Sequence, residues 1–128
     1  MERSLLLPPQ EIDGILAACG SKPAAQNAER RIHNRWPYPV IQWLAPYDVG
    51  DLPKKHMFHE VRCHDLAQGG ISFFLPRPPQ FHHAVIGLGK EPKISYVLVR
   101  ILRCTEHAGA RKEYLVGACF LQRILIFD

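Results

Sequence analysis

Three arginines, Arg30, Arg31 and Arg35, fall within six positions of one another, and the one acid beside them is Glu29. Each guanidinium presents a planar fork that can grip a phosphate or the O6/N7 edge of guanine with two hydrogen bonds, and a flat face that stacks on a base. Such a cluster suits a planar, anionic ligand; the competing reading is a basic linker held in solvent. About thirty residues later comes Asp65-Leu66-Ala67-Gln68-Gly69-Gly70. Asp65 can accept from turn amides or from an arginine, and the paired glycines open backbone geometries closed to other residues. Taken alone, this segment is a loop between strands.

Other constellations carry less chemistry. His56, His59, Cys63 and His64 lie close together and His82-His83 follow, but the spacing matches no usual zinc pattern. A strand from Met57 to His64 would also put Cys63 and His64 on opposite faces. No metal or cofactor is expected. Four cysteines, with no CxxC, read as reduced and mostly buried thiols. Ser72 and Ser95 fall inside strand-like segments with no base beside them, and no carboxylate pair is set apart for acid–base work, so the chain does not read as an enzyme. Trp43 is expected in the core. Trp36, next to Arg35, is a candidate stacking wall for a base. Arg77, within the rigid turn Leu75-Pro76-Arg77-Pro78-Pro79, is a candidate to face the same ligand. Arg100/Arg103 and Arg111/Lys112 read as solvated strand-edge or hairpin charges, the alternative being a strand arginine that faces the pocket.

The elements that would position these groups follow from patterning. The chain has 128 residues, 47% apolar and 22% charged, with a net charge of +4, which is ordinary globular composition for one core. No apolar run approaches the ~18 residues of a membrane span. No signal-peptide pattern opens the chain, so a cytoplasmic location is expected. Pro8-Pro9, early acids and Gly20 bracket a short helix at about residues 9 to 19, with Ile12, Ile15, Leu16 and Cys19 on one face. Residues 20–29 are small and polar. Segments 38–44, 57–64, 70–75, 83–88, 94–104 and 113–121 are rich in Val, Ile, Phe, Leu and Tyr and are separated by turn residues. Consecutive strands without crossover helices imply an antiparallel meander, and a set this small closes to avoid open edges. The expected fold class is all-β with a short N-terminal helix: a six-stranded antiparallel barrel over residues 29–128, preceded by a helix and linker at 1–28.

Arg31-x-x-x-Arg35 ahead of the first strand, followed by Asp65-x-Ala67-x-x-Gly70, resembles the paired RxxxR and D/N-x-S-x-x-G motifs of the PilZ domain family. The resemblance extends to Tyr38-Pro39, to Gly70-Ile71-Ser72-Phe73 and to the late strand Tyr114–Phe120, and covers roughly residues 29–124. It implies a split-barrel fold and binding of the bacterial second messenger cyclic di-GMP. Arg31 and Arg35 would clasp guanine edges and phosphates, and Asp65 would hold the arginines or a guanine amino group. Gly69 and Gly70 would belong to the binding turn, with Gly70 letting a base approach the backbone. Arg30 resembles members that capture a stacked ligand pair. Two departures stand out: the family's serine is Ala67 here, and the helix that usually follows the barrel is missing. Losing one neutral hydrogen bond costs roughly 0.5–1.5 kcal/mol, about threefold to tenfold in affinity.

The resulting expectation is a bacterial cyclic di-GMP receptor whose arginine arm orders over the barrel on binding and contacts another protein in trans, without membrane or nucleic-acid partners. One alternative is a ligand-free adaptor of the same fold, favoured by Ala67. The other is a small basic barrel that binds single-stranded nucleic acid through the arginines and Trp36.

Overall fold

The computed structural model describes residues 5–20, 35–47 and 50–125. The elements are α1 (Pro9–Ala18), β1 (Trp36–Pro37), β2 (Ile41–Pro46), β3 (His59–Ala67), β4 (Gly70–Leu75), β5 (His83–Lys90), β6 (Lys93–His107) and β7 (Glu113–Ile124). Strands β3, β2, β5, β6, β7 and β4 pair antiparallel in that order, and β4 pairs back onto β3, which closes a six-stranded barrel. The seventh strand, β1, lies outside that ring and pairs with β3 alone.

Five of the six expected strands stand within a few residues of their expected bounds, and the first differs in an informative way. In place of one strand over 38–44, the chain is interrupted between β1 and β2, where Pro37 and Pro39 supply no N–H donor. Irregular bonds bridge the gap: the Tyr38 amide donates to the His64 carbonyl at 3.0 Å, and the Cys63 amide donates to Val40 at 2.9 Å.

Alternation along β3, β4, β6 and β7 sends Val61, Cys63, Ile71, Phe73, Val97, Val99, Val116 and Phe120 into one core. The helix belongs to that core. Its face of Ile12, Ile15 and Leu16 is buried, as is Leu7 just ahead of it, each side chain contributing roughly 1.5–3 kcal/mol. The helix packs chiefly on β5 and covers the barrel end formed by the β3–β4 turn, the end of β7 and the β5–β6 turn. Leu5 donates to the Phe120 carbonyl and Leu7 to Gln68, both at 2.8 Å, while Gln68 Nε2 returns a bond to the Leu7 carbonyl at 2.9 Å. Glu11 holds the same end through Arg123 and the Ser95 hydroxyl. A helix of this length is marginal alone, and these contacts are what keep it folded.

Beneath the helix lies a buried polar chain. The Tyr38 hydroxyl donates to Gln42 Oε1, which leaves the Cys19 thiol as donor to Tyr38 at 3.3 Å. Gln42 mimics a strand neighbour toward Gly89, accepting from its amide at 2.6 Å and donating to its carbonyl at 3.1 Å. Burial, then the Cys19 bond, pushes the Tyr38 hydroxyl well above its ordinary range.

Two expectations about side-chain placement are corrected. Trp36 is buried and Trp43 half-buried, the reverse of their expected roles. Trp36 opposes Leu66 across the β1–β3 ladder, where β1 leans over the core. All four cysteines are free, but only Cys63 is buried; Cys19 and Cys119 are half-buried and Cys104 is exposed, on the long β6 that runs past the barrel. No helix among the described residues is long and apolar enough to cross a membrane.

Candidate functional site

The turn Gln68-Gly69 joins β3 to β4 as a two-residue hairpin with Ala67 opposite Gly70, Leu66 opposite Ile71 and Asp65 opposite Ser72. Up to Cys63 the strands pair in a different register, so His64 is an extra residue on β3. This bulge decides where Asp65 points. Strict alternation from buried Val61 and Cys63 would send Asp65 inward and Leu66 outward. With one residue added, Leu66 is fully buried and Asp65 lies on the outer wall beside Ser72.

On that wall three side chains meet at one atom. Asp65 Oδ1 accepts from Arg35 Nη1 at 2.9 Å and from the Ser72 hydroxyl at 2.6 Å. The β1–β3 register places Arg35 one residue beyond the Trp36–Leu66 pair, next to Ala67. The ion pair is well exposed on the arginine side, at 45% against 21% for Asp65, and contributes under about 1 kcal/mol to stability. Its significance is positional: it ties the end of the arginine segment to the barrel wall.

On sequence alone Ser72 is no candidate, because a strand serine with no neighbouring base suggests no reaction. The hairpin was its signal: a two-residue turn at Gln68-Gly69 pairs positions 65 and 72 by arithmetic alone. Ser72 gives Asp65 a hydroxyl from β4 in the vicinity where Ala67 has none.

The glycines serve a different constraint from the one expected of them. Neither Gly69 nor Gly70 has a positive φ. A Cβ on Gly70 would collide with the Ala118 carbonyl oxygen of β7, and one on Gly69 would come within 3.2 Å of Leu6 Cδ2. Gly70 is thus where β4 and β7 backbones close on each other.

Arg30 and Arg31 lie outside the described residues. Trp36, 6% exposed and with a buried Nε1 that has no hydrogen-bond partner among the described residues, presents no free face for stacking. Arg77 is exposed in the bend that follows Leu75, at the end of β4 opposite the Gln68-Gly69 turn, and the extended strand from Ser72 to Leu75 alone spans roughly 10 Å. The structure therefore brings together Arg35, Asp65, Ala67, Gly69 and Gly70, adds Ser72, and separates Trp36 and Arg77 from them.

Farther along the same wall, Phe74 carries the Arg62 guanidinium 4.4 Å from its ring centroid, with His64 and His107 edge-on at 5.5 and 5.2 Å. Arg62 is also paired to Glu113 at 2.7 Å. A groove of about 540 Å³ between the end of α1, β2 and Gly89-Lys90 holds Trp43 and shares no residue with the Asp65 cluster. Cys63 is buried and His64 exposed, on opposite faces, and no three metal-ligating side chains converge among the described residues. Comparison with models of protein families, with curated proteins and with solved structures found no match to this chain.

Proposed function

We propose that this chain is a PilZ-type receptor for cyclic di-GMP that acts by contact with another protein. The observation supporting this reading is the Arg35–Asp65 pair on the outer wall of a closed six-stranded barrel. Two motifs thirty residues apart in sequence share one atom in space. A ligand with two phosphates and two guanines supplies what that corner can use: anionic oxygens and O6/N7 edges for guanidinium forks, and an amino edge for a carboxylate. In the bound state Arg35 exchanges its contact with Asp65 for the ligand, and Arg30 and Arg31 add their charge. Moving Arg35 from Asp65 to the ligand alters the outer wall beside the β3–β4 hairpin, and that altered surface is what the partner reads.

Calorimetric titration with cyclic di-GMP tests the reading, with an Arg31→Ala/Arg35→Ala variant alongside. Saturable heat in the unmodified protein and its loss in the variant are expected. No heat at about hundred-micromolar ligand, well above the dissociation constant of any useful receptor, refutes it.

A second reading, the ligand-free adaptor, is favoured by the saturation of Asp65 Oδ1 by this chain's own Arg35 and Ser72. Partner capture without ligand binding selects it. The nucleic-acid alternative loses its aromatic platform with the burial of Trp36.

A further inference from the structure

The outer wall beside Asp65 continues across two more strands. Ser72 on β4 opposes Gly117 on β7, and Gly117 opposes Arg103 on β6. Asp65, Ser72, Gly117 and Arg103 therefore form one row across four neighbouring strands, about 14 Å from β3 to β6 at roughly 4.8 Å per strand. Val116 and Ala118, on either side of Gly117, are buried, so the missing side chain of Gly117 belongs to the outer face. Arg103 occupies that gap: a Cβ on Gly117 would lie 3.2 Å from Arg103 Nε and 3.3 Å from its Cγ.

Arg103 reaches the outer face in the same way as Asp65. The β6–β7 register shifts between Ile101 and Arg103, making Leu102 an extra residue on β6. Strict alternation from buried Val99 and inward-packed Ile101 would turn Arg103 to the inner side. The bulge returns it to the wall and leaves Leu102 58% exposed. Two separate bulges thus aim an acid and an arginine at opposite ends of one row, and the residues between them, Ser72 and Gly117, are small. Bulges of this kind characteristically re-aim a side chain for use.

The charges along the row are unequal. Asp65 is engaged by Arg35 and Ser72, whereas Arg103 forms no ion pair among the described residues. We infer that Arg103 is a second ligand-binding residue of the outer-wall site, gripping a phosphate or guanine edge of the bound dinucleotide from β6 while Arg35 holds it from the β1–β3 side. The assignment rests on the cyclic di-GMP reading and adds a contact from β6 to it.

Titration with cyclic di-GMP of the unmodified protein, Arg103→Ala, Arg103→Lys and Gly117→Ala tests it, with Lys55→Ala as a control for loss of one surface charge and circular dichroism as the check of fold. Arg103→Ala is expected to weaken binding about tenfold or more, Arg103→Lys to recover part of that loss, and Lys55→Ala to bind as the unmodified protein. Gly117→Ala, which crowds the guanidinium stem without altering charge, is expected to weaken binding about threefold. Undiminished affinity in Arg103→Ala, with binding intact in the unmodified protein, overturns this assignment alone. Equal losses in Arg103→Ala and Lys55→Ala reduce Arg103 to general charge and overturn it as well. No binding by the unmodified protein overturns it together with the receptor reading.

Discussion

The Ser72 hydroxyl and the Asp65 carboxylate meet across the β3–β4 hairpin at 2.6 Å, on the same oxygen that Arg35 reaches at 2.9 Å. Ser72 is 7% exposed and fixed by its strand, so it holds the carboxylate in place, whereas Arg35, 45% exposed, can leave. Asp65 is a prearranged acceptor with one fixed donor and one exchangeable donor.

Ser72→Ala removes the fixed donor and is expected to lower unfolding stability by about 1 kcal/mol. Because Ser72 and Arg35 share an acceptor, their effects should not add. A double-mutant cycle with Arg35→Ala, read by urea denaturation, should return a coupling of about 0.5 kcal/mol or more. Simple additivity would mean that the shared oxygen has no energetic consequence.

Ala67→Ser restores a hydroxyl beside Arg35 at a half-buried strand end. Since Ser72 already serves Asp65, the new hydroxyl is available to a ligand. Affinity for cyclic di-GMP should rise about threefold to tenfold, measured by calorimetry against the unmodified protein. Unchanged affinity would place the ligand away from position 67.

Two glycine substitutions should have opposite signs. Gly70→Ala drives a methyl group into the Ala118 carbonyl and is expected to cost about 2 kcal/mol. Gly14→Ala, on an exposed stretch of α1 with nothing within 4 Å of the added carbon, should stabilise by about 0.5–1 kcal/mol. Thermal melts of both variants decide the matter.

Alkaline pH should weaken the fold through its buried acids. Burial, and secondarily Cys19, pushes the Cys63 thiol from near 9 up to about 12. Folding therefore favours the protonated thiol. The associated stability is complete below pH 9 and is lost as pH rises from there toward 12, with Tyr38 acting in the same direction above pH 10. Denaturation midpoints should fall across that window. At pH 8 an aromatic disulfide reagent should modify exposed Cys104 quickly and Cys63 only as fast as the chain opens.

Patterning alone was sufficient for the short helix, for six antiparallel strands, five of them within a few residues of their ends, and for a closed barrel. Period-2 apolar segments separated by glycine and proline turns leave few other ways to bury one face. The turn residues were legible as well, but Asp65–Ala67, read as loop, belong to β3, and so the opposition of Asp65 to Ser72 was not. The two tryptophans were misplaced because burial of an aromatic depends on which strands pass over it. The short β1 arises where Pro37 and Pro39 break the ladder, and its pairing with Leu66 carries Trp36 into the core.

What only the tertiary structure decided is the direction in which the functional groups point. A strand read by its alternation from Cys63 puts Asp65 inside, and one read from Ile101 puts Arg103 inside. The extra residues His64 and Leu102 reverse both. A bulge is a mismatch in length between two paired strands, so it belongs to the pair and has no signature in either strand read alone. The sequence by itself determined which residues carry the charge and which elements hold them; the pairing of those elements determined that the charges share one wall.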